Sequence, residues 1–238
     1  MSFLTAEWNN LAMINYVIDP KILEKYVPAG TELDFFEGKC YVSFIGFLFE
    51  NVKVLGLKIP FHSDFEEVNL RFYVRRFENG VWKRGAVFIS EIVPKYAISF
   101  VANTFYNEHY ETFPMKHSLK VNDNSREFIY EWKVKNNWNT INIQTNKNPI
   151  GIEIGSESEF ITEHYFGYNK VSGTETIEYE VKHPRWQQYE VIKNTSSINF
   201  EDVYGEEFAF IKDLEPTSVF LAVGSKISIE DKRKIKLW

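Results

Sequence analysis

The stretch Phe65–Arg76, FEEVNLRFYVRR, divides cleanly by alternate residues. Val68, Leu70, Phe72 and Val74 fall on one side. Glu67, Asn69, Arg71, Tyr73 and Arg75 fall on the other. Successive side chains of a strand point to opposite faces, so the stretch reads as a β-strand with one apolar and one polar face. Asn79-Gly80 then joins it to VWKRGAVFISEIV, and Asn-Gly between alternating runs is a strong hairpin signal. The fold turns on where the polar face looks. Toward water, it is an ordinary sheet surface; toward an interior, it lines a polar cavity.

Outward from this hairpin the chain is strand-rich. LAMINYVI reads as a strand, and DPKILEKYV as a short helix with Asp19 as its cap and Pro20 in the first helical position. Glu37-Gly38-Lys39 is a turn between strands. PKYAISFVANTFYNEHY reads as a helix, since Ala97, Ile98, Val101 and Phe105 recur at helical spacing. Asn122 to Ser125 turn the chain into the strand REFIYEWKVK. SESEFITEHYF reads as a short helix capped by Ser156 or Ser158, and Ser172-Gly173 as the turn of another hairpin. DKRKIKLW reads as a solvated basic tail. Roughly ten strands and two or three short helices make this a β-rich α+β fold. No Gly- or Ser-rich linker or short repeat interrupts it, so residues 1–238 read as a single domain.

Composition narrows the function classes. Of 238 residues, 44% are apolar and 25% charged, which suits a globular chain with a sizeable core. Phe (21) and Tyr (13) are plentiful, as strands and pocket walls favour. A formal net charge of −6 argues against nucleic-acid binding, which needs clustered Lys and Arg. Cys40 is the one cysteine, so an internal disulfide is excluded, and its apolar setting predicts a small buried hydrophobe. With no basic-then-apolar leader and no long apolar run, the expectation is a soluble, cytoplasmic protein without a membrane partner. A homo-oligomer is compatible with all of this.

Two segments together carry a resemblance. IPFHSDFEEVNLRFYV followed by GVW, and later FITEHYFGY…IEYEVKHPRW, resemble the YqjF-like family of bacterial proteins, in the same order along most of the chain. That family is in turn similar to acetoacetate decarboxylase. YVIDPKILEKYVPAGTELDFFEGKCYVSFIGF looks like that enzyme's N-terminal strand-helix-strand. FEEVNLR falls where it carries a pocket glutamate, and YETFPMKHSL where it carries a reactive lysine pair. The resemblance implies a curved antiparallel sheet closing into a cone-shaped barrel, with peripheral helices outside and a pocket within. Glu67, Asn69 and Arg71 would then face that pocket, with Val68, Leu70 and Phe72 packed beneath helices.

Through the same resemblance, Met115 stands in the place of the Schiff-base lysine and Lys116 in that of its neighbour. A thioether forms no imine, so the catalytic pair is broken. Read one residue out of frame, Lys116 would be the nucleophile, lacking an adjacent cation unless Arg71 or Arg75 replaced it. An amine reacts this way only when its pKa is lowered. The candidate catalytic groups are therefore Glu67, for proton transfer, and Lys116. The candidate ligand contacts are Asn69, Arg71, Tyr73 and Met115, with Arg71 suited to a bidentate carboxylate clamp. His109, Glu111 and His117 lie close in sequence but lack the spacing of a metal site, and His109 reads as the end of the helix. His183 precedes Pro184 and reads as a strand end beside the packing anchor Trp186. Neither a metal nor a cofactor is expected, and hydrolase and nucleotide-binding motifs are missing from the sequence.

Three readings follow. The first is a protein that binds a small acidic or carbonyl-containing molecule in an interior pocket, without a Schiff-base lysine. The second is a lyase or hydrolase-like enzyme acting on a small keto acid, with Glu67 as acid/base and Arg71 as anchor. The third is a structural or partner-binding β-domain.

Overall fold

The computed structural model describes residues 2–237; the side chains of Val101, Phe105 and Tyr106 lie outside the described residues, and with them part of the expected helix face. The chain opens with β1 (Leu4–Val17), two 3₁₀ turns (Pro20–Ile22, Glu24–Tyr26), β2 (Glu32–Leu33), β3 (Tyr41–Val54) and β4 (Leu57–Lys58). The hairpin β5 (Phe65–Glu78) and β6 (Val81–Val93) leads to α1 (Tyr96–Tyr106) and β7 (Tyr110–Thr112). Then come β8 (Met115–Val121), β9 (Ser125–Val134), β10 (Asn137–Asn146), β11 (Ile150–Gly151) and α2 (Glu157–Thr162). The last part holds β12 (Phe166–Lys170), β13 (Glu175–Lys182), β14 (Gln187–Tyr189), β15 (Val191–Ser197), α3 (Phe200–Tyr204), a 3₁₀ segment (Glu206–Asp213), β16 (Ser218–Ile229) and β17 (Arg233–Lys236).

The main sheet closes on itself. Its order runs β16-β1-β3-β5-β6-β12-β13, and β13 returns to pair with β16 through Val181 opposite Ile229. The ring expected from the resemblance is therefore present, with two departures from a purely antiparallel sheet, one of them the short β7, which runs parallel to β6. β12 joins β6 in parallel, Phe166 opposite Gly85, because the chain between them makes a long excursion instead of a hairpin. Asn79 and Gly80 adopt φ of 52° and 80°, the left-handed pair that a two-residue hairpin turn requires.

The two faces of β5 have the fates that alternation predicts. Val68, Leu70, Phe72 and Val74 are fully buried on the outer face of the ring. Their cover differs from the expected helices. It is largely a second sheet, β15-β10-β9-β8, whose Phe128, Tyr130, Trp132, Ile141 and Ile143 join their cluster, with Phe200 and Phe208 beside them. Gly46 on β3 allows this close approach, since a Cβ there would sit 3.3 Å from Tyr130 and Ile141. β9 alternates Phe128, Tyr130, Trp132 and Val134, so a sheet with one apolar face satisfies the same burial that helices would.

Other expectations hold or shift locally. Ser156 caps α2, accepting from Glu159 N, and Cys40 is buried, its thiol pushed up to about 11 by burial and by Asp19. The segment after Asp19 forms 3₁₀ turns rather than an α-helix; Ile22 N and Leu23 N bond three residues back, and the run is too short for more. The basic tail keeps its four cationic residues exposed but is not loose: it forms β17 on β13, buries Ile235, and places Arg233 Nε 2.6 Å from the buried carboxylate Glu178. Among the described residues no helix is long and apolar enough to cross a membrane.

Candidate functional site: a buried acid floor

The polar face of β5 looks into the ring. Glu67 and Asn69 are each 2% exposed. Asn69 Nδ2 donates to Glu67 Oε1 at 2.9 Å, and the Tyr110 hydroxyl donates to Glu67 Oε2 at 2.8 Å. Burial pushes the Glu67 carboxyl up from the ordinary 4.5 to about 7, against the pull of these two hydrogen bonds, and the nearby Glu108 adds to the rise.

Two further carboxyls reach the same place through backbone irregularities. Counting from the Asn79-Gly80 turn, regular pairing would set Ser90 opposite Asn69 and turn Glu91 outward. A one-residue shift between Leu70 and Arg71 sets Glu91 opposite Asn69 instead, and so on the inner face. Glu108 follows Asn107, whose φ of 56° ends α1 and turns the chain inward. Glu91 and Glu108 hydrogen-bond to each other, and Glu108 also accepts from Asn169. The Tyr179 hydroxyl donates to Glu108 Oε1 at 2.7 Å. Burial holds Glu91 well above the usual carboxylate range, reinforced by the charges of Glu108 and Glu67. Burial raises Glu108 as well, while its three hydrogen bonds oppose the rise. The Tyr179 ring lies over Gly167, where a Cβ would overlap it.

Above this floor opens a cavity of about 200 Å³. Phe49, Val52, Phe65, Ile98 and Ile229 are among its apolar walls; its polar lining is Glu67, Glu108, Tyr110, Tyr179 and, from the β4–β5 loop, His62. Its described lining includes no lysine.

Arg71 and Tyr73 also face inward, yet neither is among the lining residues. Arg71 Nη2 donates to the Ile161 carbonyl at 3.2 Å and its Nε to the Tyr73 hydroxyl at 3.3 Å. That hydroxyl donates to Ser43 Oγ at 2.6 Å, and Ser43 donates to Asn15 Oδ1 at 2.5 Å. The Tyr73 ring lies 4.5 Å from that of His164, which is paired through Nε2 with Asp34. Burial lowers His164 to about 4, so it is neutral. These residues form a polar brace across the ring, and the guanidinium expected to clamp a carboxylate is committed to it.

Met115 and Lys116 lie elsewhere. Both are on β8 of the second sheet. Met115 packs against the outer cluster, while Lys116 is 56% exposed, 3.1 Å from Glu131 and over the Trp138 ring. The structure does not bring either to Glu67. The segment that resembles the lysine-bearing one does reach Glu67, but through its first residue, Tyr110. A five-residue excursion through β7 separates the two positions, and no local spacing signal marks which of them turns inward. His109 is likewise not in the last turn of α1, which ends at Asn107. His117 bonds Glu66 at 2.6 Å, and no group of three or more His, Cys, Asp or Glu among the described residues is arranged to hold a metal ion. His183 stacks on Trp186, ring centroids 4.2 Å apart. Glu91, Glu108 and Tyr179 were not foreseen from the sequence; the one visible trace is a glutamate inside the apolar run AVFISEIV.

The closed, strand-built ring is an acetoacetate decarboxylase-like fold, as solved structures show. The acetoacetate decarboxylase of Legionella pneumophila matches with a TM-score of 0.64 over 97% of this chain and 86% of its own, at 14% identity. The enduracididine biosynthesis enzyme MppR, complexed with pyruvate, matches at 0.67 over 98% and 91%, at 12% identity. At such identities the likeness is one of fold. The chain belongs to the DUF2071 family, described as an uncharacterized conserved protein, whose profile matches residues 5–226. Uncharacterized protein YqjF of Bacillus subtilis is 35% identical over 68 residues, a match spanning 28% of this chain and 28% of that relative.

Proposed function

We propose that this chain binds a small molecule inside the ring, with an apolar body against Phe49, Phe65 and Ile98 and one polar head group on the floor made by Glu67 and Glu108. The observation that carries the reading is an apolar-walled cavity of about 200 Å³ ending on two buried carboxyls. Ligand sites combine apolar walls with a few convergent polar groups in this way. A small acid as ligand, anchored by Arg71, has less support, because the floor is carboxylic and Arg71 is engaged with Tyr73 and Ile161. Glu67, with its carboxyl near 7, also favours an enzymatic reading in which it exchanges a proton with the bound head group.

The test is ligand-observed NMR with a mixture of small aryl-alkyl alcohols, ketones and amines, repeated on Ala102→Trp. Ala102 lines the cavity from α1, so an indole there fills it. The reading expects binders that are lost in the variant. No binder at millimolar concentration, or binders indifferent to the indole, would overturn it.

A further inference from the structure

The chemistry of the head group follows from where the floor's hydrogens already are. Each tyrosine hydroxyl has one proton, and each is spent: Tyr110 on Glu67 and Tyr179 on Glu108. Asn69 also donates to Glu67, and Asn169 and Glu91 engage Glu108. The floor is thus organised to solvate carboxylates, and what it offers the cavity is acceptors. Glu108 is 9% exposed and a lining residue, and no amide N–H or tyrosine hydroxyl donates to its buried Oε2. A buried acceptor without such a donor is costly unless a partner arrives.

Charge points the same way. Glu67, Glu91 and Glu108 share the site, all buried, and among the described residues none of them is in an ion pair. Arg71 is the cation whose charge is felt at Glu67, and it is turned to Tyr73 and Ile161. His62, in the lining, directs Nδ1 to the Pro60 carbonyl at 2.8 Å. Aromatic rings of Phe49, Phe65, Tyr110 and Tyr179 complete the surroundings.

We propose that the occupant is a small apolar amine, whose ammonium group donates to Glu67 and Glu108 while its hydrocarbon body fills the space between Phe49, Phe65 and Ile98. An ammonium supplies three donors and one positive charge, which is what this floor lacks. A carboxylate adds a fourth acid to the site. A neutral carbonyl needs a donor, and the tyrosine protons are committed. A protonated Glu67 could give its own proton, but ammonium binding favours the ionised form and releases that proton to solvent. This inference rests on the cavity-binding reading above and narrows it to one head group.

Three probes with the same body separate the cases: 3-phenylpropylamine, 3-phenylpropan-1-ol and 3-phenylpropanoate, titrated by calorimetry at pH 6 and pH 8. The amine should bind at least tenfold more tightly than the alcohol at pH 8, and the acid should bind most weakly. The amine's affinity should rise from pH 6 to pH 8 as Glu67, whose carboxyl burial pushes up to about 7, gives up its proton; Glu91, Glu108 and His62 are the other titratable groups facing the site. Glu67→Gln and Glu108→Gln should each weaken the amine by roughly tenfold to a hundredfold, the worth of a charge-assisted hydrogen bond. Alcohol binding should stay within about twofold, which also reports that each variant is folded. An alcohol or acid that binds more tightly than the amine overturns the proposal and leaves the cavity reading standing. So does amine binding indifferent to both substitutions. If none of the three binds, the cavity reading fails with it.

Discussion

Replacing Glu67 by Gln should make the protein more resistant to unfolding at alkaline pH, although the residue is buried and hydrogen-bonded. In the unfolded chain this carboxyl loses its proton near 4.5; in the folded protein it holds the proton to about 7. Below 4.5 both states are protonated and the residue costs nothing. Between 4.5 and 7 the unfolded chain ionises first, so stability falls as pH rises, and above 7 the loss is complete. At 1.36 kcal/mol per pH unit the loss is about 3 kcal/mol, a large part of a typical stability of roughly 5–15 kcal/mol. Glutamine keeps the shape and removes the ionisation. Its amide also has a partner ready, because Asn69 Oδ1 is buried and unpaired and a flipped Asn69 amide would accept from it. The assay is urea unfolding of both proteins at pH 5 and pH 8.5. Glu91 and Glu108 weaken both proteins at the higher pH, so the informative quantity is the difference between the two losses. It should be about 2.5 kcal/mol in favour of the variant, because part of the loss has already occurred at pH 5, and larger where relief of charge at Glu108 adds to it. Two parallel losses would refute the reasoning, because Glu67 would then ionise at the same pH folded and unfolded.

Other consequences follow from the same geometry. Tyr110→Phe leaves Glu67 with one side-chain donor; it should lower stability at pH 8.5 by about 1.5–3 kcal/mol, whereas Lys116→Ala, on the exposed second sheet, should change it by less than about 0.5 kcal/mol in the same urea titrations. His164 sets the acid side of the stability curve. Held neutral to about 4 against an ordinary 6.5, it should cost about 3 kcal/mol as pH falls through that window, and His164→Gln should flatten the loss seen by thermal unfolding between pH 7 and pH 4. Gly167→Ala should cost about 1–3 kcal/mol and displace the Tyr179 ring, seen as shifted aromatic resonances; an unshifted Tyr179 would mean that the ring does not rest on Gly167.

The sequence states some of this structure outright and hides the rest for identifiable reasons. Alternation in Phe65–Arg76 separates the residues that enter the ring from those that pack outside it, and Asn79-Gly80 fixes the hairpin. Those are local signals, and they survive folding. Closure of the ring depends on β13 meeting β16, a pairing between distant segments that no local pattern announces. The outer cover is ambiguous for a related reason: an apolar face can be buried by helices or by a sheet, and the alternation of Phe128, Tyr130, Trp132 and Val134 says only that one face of β9 needs a partner. At the site, the strand pattern identifies Glu67 and Asn69. Glu91 enters the ring only because of a bulge, and Glu108 only because α1 stops at a left-handed asparagine. Both devices break the periodicity on which sequence reasoning relies. The short β7 excursion carries Met115 and Lys116 away to the second sheet, so Tyr110 is the residue of that segment that meets Glu67.

The most direct measurement is the titration of the Glu67 side-chain carboxyl by carbon-13 NMR, with and without 3-phenylpropylamine. Its resonance can be assigned by comparison with Glu67→Gln. In the free protein the midpoint should lie near 7, and with the amine bound it should fall, because an ammonium on the floor stabilises the ionised form. A midpoint near the ordinary 4.5, unmoved by the amine, would mean that Glu67 is neither sealed from water nor part of the ligand site, and would contradict the account.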